Sequence, residues 1–308
     1  MQINQHIFQL QEMAAPEIPL HVHLVKGPEY AVLLDSGLAQ SLPGVLALIG
    51  EAGLDSHDVR LLFNTHAHHD HIGSNSGVKA ACGCLIGAHP GSVAWIEDHE
   101  RNFQEFCCSY PAIFPDTPEL RAEIVPTMDA PTRVDLRIRE GFSLDLGDDI
   151  RLEAIEVPGH MQAELAFYEP KSRTLLLGDA VTGTDWFFFH GHLNPAAYRQ
   201  SVEKLRRLTS ELPIDLVLAA HFPPMNPAQF QAKLNRVDQY LGSIDDELLK
   251  IVREVKEPVS LENSWRELCR RMHKKEEFRG LSMVAAHLQK LVQEREIVQV
   301  GPNLYNWS

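Results

Sequence analysis

Four metal-ligand side chains stand within six positions: His66, His68, Asp70 and His71, spelled His-x-His-x-Asp-His. They follow the apolar run Val59-Arg-Leu-Leu-Phe63 and precede Ile72-Gly-Ser-Asn-Ser-Gly77. A buried strand therefore delivers them into a loop that enters a helix. In an extended segment side chains alternate, so His66 and His68 point the same way. Once the chain turns, Asp70 and His71 project elsewhere, toward a second cation. Imidazoles and a carboxylate without cysteine suit zinc, iron or manganese. A solvated polar loop would not need a buried strand behind it and a Gly/Ser turn ahead of it.

Further single ligands stand at the exits of other apolar runs: Val157-Pro-Gly-His160, Leu177-Gly-Asp179 and Ala219-Ala-His221. Strand signals recur at 142–146, 150–157, 165–168, 174–177 and 216–218, and His21–Val25 with Tyr30–Leu34 reads as a hairpin around Lys26-Gly-Pro-Glu29. His21 and His23 on that hairpin are expected to be structural or at the surface. Leu42–Ala52 has helical spacing with Pro43 near its start and Gly53 beyond its end, and Asn194-Pro195 opens a helix to about Leu208 whose Tyr198 reads as core. Ser92–Tyr110 reads as one aromatic helix, followed by five prolines, and so residues 90–132 form a helical insertion over the body, with the character of a lid. Lys79–Gly87 reads as a buried small-residue strand. Its Cys82 and Cys84, with Cys107, Cys108 and Cys269, are odd in number and read as structural thiols.

These motifs, in this order, resemble the metallo-β-lactamase superfamily in its glyoxalase II-like and lactonase-like branch, over about residues 1–225. The matching elements are the Leu34-Asp-Ser-Gly37 turn, the His-x-His-x-Asp-His-x-Gly run, Pro-Gly-His, Gly-Asp and a late histidine. The resemblance implies an α+β fold: an αββα sandwich with the metals at one edge between two sheets. It implies that His66, His68 and His160 hold one metal, that Asp70, His71 and His221 hold a second, and that Asp179 bridges them. His69 has no ligand role in that pattern and is expected behind the site or at the surface. Two divalent ions are implied, zinc first, with iron or manganese as alternatives. Their shared water would be acidified to a hydroxide that attacks a carbonyl or phosphoryl group, with Asp70 as the catalytic residue that orients it or passes a proton. Two departures stand out: Ala219-Ala-His-Phe222 replaces the frequent Pro-Gly-His-Gly, and Met161-Gln-Ala-Glu replaces Thr-x-Gly.

The aromatic run 182–192 after Asp179 supplies candidate substrate contacts, Trp186, Phe187, Phe189 and His190, with Phe222 beside the last histidine. Trp95, Phe103, Phe106 and Tyr110 are expected on the facing wall. Beyond Pro223-Pro224 the pattern changes to a long helix, Gln229–Val255, two shorter ones near Leu261–Met272 and Ser282–Gln293, and a hairpin of Ile297–Val300 with Leu304–Trp307. That outline resembles a winged-helix domain, which sets the expected division at residues 1–228 and 229–308.

Charge bears on partners. The chain carries a formal −14, and from Ala232 onward 13 Lys/Arg face 12 Asp/Glu, which leaves 15 against 30 in residues 1–231. An acidic body disfavours nucleic acid. Arg270, Arg271, Lys274, Lys275 and Arg279 form a basic cluster that keeps an RNA-binding alternative open, against packing on the body or homodimerisation. No apolar run reaches the length of a membrane span and the first ten residues lack a secretory pattern, so the expectation is a cytoplasmic protein without membrane contact. The leading functional expectation is hydrolysis of a small acyl substrate, a thioester, lactone or ester. The alternatives are a phosphodiesterase or endoribonuclease, a mononuclear-iron persulfide dioxygenase-like oxidoreductase, and a metabolite-binding effector.

Overall fold

The computed structural model describes residues 1–181 and 183–307. Two six-stranded sheets lie face to face. The first holds β1 (Ile7–Ala15), β2 (Ile18–Lys26), β3 (Ala31–Leu34), β4 (Val59–Phe63), β5 (Leu85–Ala88) and β6 (Leu136–Arg137), adjacent in that order. The second holds β7 (Ser143–Gly147), β8 (Ile150–Glu156), β9 (Leu165–Glu169), β10 (Thr174–Leu177), β11 (Leu216–Ala219) and β12 (Phe222–Met225), likewise in chain order. β3 to β6 pair in parallel, as do β10 and β11, whereas the remaining neighbours are antiparallel.

The alternation along β3 shows why these strands read as unbroken apolar runs. Val32 and Leu34 face Phe167, Leu176 and Leu218 of the opposite sheet, while Ala31 and Leu33 face Val45, Leu48 and Ile49 of the helix Leu42–Glu51. A strand covered on both faces has no polar side to display. The second sheet is treated in the same way: Val157, Tyr168, Leu175 and Val217 pack beneath the helices Pro195–Glu211 and Pro227–Glu254. Helix, sheet, sheet, helix is the expected sandwich. β1 and β12 were not legible as strands in the sequence, because β1 carries mixed polarity and two of the four residues of β12 are prolines.

Local corrections have local causes. Cys82 ends the helix Asn75–Cys82, and the strand begins only at Leu85, because Gly83 takes φ +70° and turns the chain out of the helix. Ser92–Tyr110 is two helices, Val93–Glu97 and His99–Cys107, since Asp98 is extended and its side chain caps the Arg101 amide. His21 and His23 are both buried, which agrees with the structural one of the two expected places, and burial lowers the His23 imidazole to about 3. All five cysteines are free and buried.

The long helix Pro227–Glu254 serves two cores. Phe230, Leu234, Val237 and Leu241 pack on the second sheet. Ile244, Leu248, Ile251 and Val252 pack instead with the helices Leu261–Arg271 and Phe278–Gln293 and with a third sheet of β13 (Val259–Ser260), β14 (Ile297–Gly301) and β15 (Leu304–Trp307). Among the described residues no helix is long and apolar enough to cross a membrane.

Candidate metal centre

Strand ends build the site. β4 runs out into His66 and His68, β8 into His160, β10 into Asp179 and β11 into His221, all at one edge between the sheets. The loops are stitched together: the Leu165 amide donates to the Thr65 carbonyl at 2.8 Å, and the His21 amide to that of Ala220 at 2.8 Å. Gly159 has φ +145°, and a side chain there would collide with the Tyr198 backbone, so the bend that presents His160 requires glycine.

The structure brings together all seven side chains singled out above. His66, His68, His160 and Asp179 form one group, and Asp70, His71 and His221 another. Asp179 lies between them. Its Oδ1 is 3.3 Å from His221 Nε2 and 3.5 Å from His71 Nε2, and its Oδ2 is 3.3 Å from His160 Nε2 and 3.8 Å from His66 Nε2. Asp70 Oδ2 is 3.3 Å from His221 Nε2.

A second partner sets which ring nitrogen faces inward. His71 Nδ1 lies 2.8 Å from Asp35 Oδ2, His160 Nδ1 2.9 Å from the Gly191 carbonyl, and His221 Nδ1 2.6 Å from the Pro19 carbonyl. Each ring therefore turns Nε2 to the centre. His68 is the exception: its Nδ1 lies 2.9 Å from His160 Nε2, while its ring stacks on Phe106 at 4.1 Å.

The donor set fits a cation. His66 Nε2, His71 Nε2 and Asp179 Oδ1 are buried without a hydrogen-bond partner among the described residues. Such atoms are costly to bury unless something accepts their lone pairs. Burial holds His66 and His68 well below the ordinary imidazole value, and His160 at about 4. Burial also presses on His71 and His221, but there the carboxylates around Asp179 outweigh it, lifting His71 well above its usual value and His221 to about 10. His66, His68 and His160 offer neutral rings, and a cation would take the place of the proton that the carboxylates hold on His71 and His221, so the set would serve one or two divalent ions.

The remaining candidates divide. Trp186 and His190 line a narrow cavity of about 60 Å3 over the cluster, together with Phe106, Phe188, His69 and Arg279. Phe222 backs this wall, stacked on Trp186 at 6.0 Å. Phe187 instead is 51% exposed, and Phe189 is fully buried in the core of the C-terminal helices, so neither lines the cavity. Successive residues of an irregular loop point in different directions, and the Phe-Phe-Phe run gave no means of choosing. Thr182, the first residue of that aromatic run, lies outside the described residues. Of the facing wall only Phe106 reaches the cavity. Trp95 and Phe103 pack behind it, and Tyr110 packs against the C-terminal core. His69 lines the cavity rather than the surface.

Three residues at the site carried no clear signal in the sequence. Asp35 lies in a turn noted only as part of a motif. Glu164 accepts the Asp179 amide at 2.7 Å, and burial, then the Asp179 charge, pushes its carboxyl well above the usual range. Arg279 was counted in a basic cluster that does not exist as one face. Arg270 and Arg271 pair with Glu267, Arg271 also with Glu254, and Lys274 caps the carbonyls of Thr184 and Trp186. His190 is a hydrogen-bond donor to Asp179. Its Nδ1 accepts from the Gly183 amide at 3.2 Å, so the proton sits on Nε2, 2.9 Å from Asp179 Oδ2.

With fold and site in view, the comparisons with known proteins agree. The family model described as the Metallo-beta-lactamase superfamily matches residues 17–221, and this chain belongs to that superfamily. A hydroxyacylglutathione hydrolase of Hyphomonas neptunium is 26% identical over 144 residues, 47% of this chain and 42% of the relative. The chain thus aligns with less than half of that relative's length. A probable metallo-hydrolase of Bacillus subtilis, YybB, is 24% identical over 70% of this chain and 85% of its own. A crystal structure of a metallo-beta-lactamase family protein from Thermus thermophilus superposes over 100% of both chains, with a TM-score of 0.79 and 20% identity.

Proposed function

We propose that this chain is a metal-dependent hydrolase that cleaves a small acyl substrate, a thioester, lactone or ester, with two divalent ions, zinc foremost, held by the seven residues described. The single observation behind this reading is the pair of ligand groups joined through Asp179, with buried nitrogen lone pairs converging on it. Such ions acidify water and polarise a carbonyl oxygen. Asp70 lines the cavity with a side chain 14% exposed, where its carboxylate takes the proton of an attacking water and returns it to the leaving alkoxide or thiolate. His190 holds Asp179 in place, and Trp186, Phe188 and Phe106 exclude bulk water from the reacting group. Relatives named hydroxyacylglutathione hydrolase support the acyl reading.

The division into a catalytic unit at 1–228 and a winged-helix-like unit at 229–308 belongs to the same proposal, as does a cytoplasmic location. The nucleic-acid alternative loses support because Arg270 and Arg271 are paired with carboxylates. The single-iron oxygenase alternative loses support because the second ligand group is complete. The test is purified protein of measured metal content assayed on a panel of thioesters, lactones and esters. Hydrolysis lost in His66→Ala is expected, and a fully loaded protein that cleaves none of them overturns the reading.

A further inference from the structure

Among the described residues one permanent positive charge lines the cavity, and it comes from outside the stretch that the family model covers. Arg279 lies in the first turn of the helix Phe278–Gln293, and the match ends at residue 221. The side chain is only 20% exposed. Its guanidinium sits 4.7 Å from the Phe278 ring and 5.2 Å from the Phe188 ring. Packing of this kind restrains the side chain before any ligand arrives.

Its hydrogen bonding is only partly used. Nη1 donates to Glu277 Oε2 at 2.6 Å, whereas Nε and Nη2 have no hydrogen-bond partner among the described residues. Nε–H and Nη2–H form the edge of the guanidinium that grips a carboxylate through two parallel hydrogen bonds. Glu277 does not line the cavity, so it restrains one end of the fork without filling the space where a ligand would lie. Arg279 is also tied to the metal centre through the backbone. A Cβ on Gly191 would come 3.3 Å from Arg279 Cβ, and the Gly191 carbonyl is the one that faces His160 Nδ1.

Resting on the acyl-hydrolase reading above, we propose that Arg279 recognises a carboxylate at the far end of the acyl chain, so that the preferred substrates are short ω-carboxyacyl thioesters or esters. Without Arg279 an anionic tail in this cavity would meet only the carboxylates of Asp70 and Asp179, and a neutral tail would leave the open edge of Arg279 unpaired. The narrow cavity favours a chain of few carbons.

The experiment compares the succinyl and butyryl thioesters of N-acetylcysteamine, which differ in the terminal carboxylate, on metal-loaded wild type, Arg279→Met and Arg279→Lys. Wild type is expected to favour the succinyl substrate by roughly 10–100-fold in kcat/KM, mainly through KM. Arg279→Met brings that ratio close to one by losing far more succinyl than butyryl turnover, and Arg279→Lys falls between. A wild-type ratio near one overturns the proposal, as does an equal loss on both substrates in Arg279→Met, since a purely structural arginine would move both alike. Calorimetric titration with succinate and with butyrate separates this inference from the hydrolase reading, because it needs no turnover. Tighter binding of succinate by wild type, lost in Arg279→Met, upholds the anion site even if neither thioester is cleaved. Equal binding of the two acids overturns it.

Discussion

Asp35 Oδ2 lies 2.8 Å from His71 Nδ1. The same carboxylate accepts the Thr65 amide at 2.7 Å and the Thr65 hydroxyl at 2.8 Å, so one residue ties the end of β3 to the start of the ligand run. Asp35 adopts φ +63°, a left-handed turn that a short polar side chain tolerates. Asp35→Asn is expected to weaken cation binding by about 10–100-fold, because it removes the charge that orients and enriches His71. Competition with a chromophoric chelator measures it, and unchanged affinity would mean that packing alone orients the ring.

Asp179 lies between the two ligand groups, with Oδ1 toward His71 and His221 and Oδ2 toward His66 and His160. Saturating zinc is expected to raise the melting temperature of the wild type, since a cation that binds only the folded chain stabilises it by about 2.7 kcal/mol at a hundredfold excess over Kd. Asp179→Asn should lose most of that gain together with metal content. Elemental analysis beside thermal unfolding checks both, and a variant that keeps the full gain would remove Asp179 from the centre.

The C-terminal helices reach the loop behind the site through a buried chain of polar groups. His192 Nε2 lies 2.6 Å from His287 Nε2, and His287 Nδ1 lies 2.6 Å from Asp245 Oδ1. His287→Leu leaves the His192 ring unpaired in the interior and deprives Asp245 of one partner, although Lys290 and Arg199 still serve it. A loss of about 2–4 kcal/mol is expected in urea unfolding. Amide exchange should quicken in residues 183–192, and a variant as protected there as wild type would show that the loop holds itself.

Lys233 is buried, with its ammonium 3.7 Å over the Phe222 ring, and burial, then Arg236, lowers it to about 8 from 10.5. Between those values the unfolded chain holds the extra proton, so wild-type stability gains as pH rises from about 8 to 10.5, and the cost is full below 8. Lys233→Met is expected to be more stable than wild type at pH 7 by about 1–3 kcal/mol, once the lost ring contact is set against that cost. The difference should shrink by about pH 9.5. Urea midpoints at the two values test the sign, and an advantage that grows with pH contradicts it.

The candidate ligand residues were legible because most are polar side chains released at the ends of apolar strands, with Asp70 and His71 just behind on the short helix His69–Ile72, and the sandwich followed from runs such as Ala31–Leu34 that leave neither face for water. Phe188 and Phe189 were not separable in the same way. One lines the cavity and the other fills the C-terminal core, and that choice depends on how an irregular loop is gripped by Lys274, Lys275 and Arg279. Arg279 itself read as part of a basic surface, because its distance in the chain from Asp70 hides their meeting in one cavity.

Local pattern determined most of the elements and singled out the candidate ligand side chains, since strand burial and turn chemistry act over a few residues. Only the tertiary structure decided which imidazole nitrogen faces the centre and which aromatic ring closes the cavity. It alone set one arginine from the last helices beside the ligands. Those outcomes are fixed by hydrogen bonds and packing between segments tens to hundreds of residues apart, and no local window contains both partners.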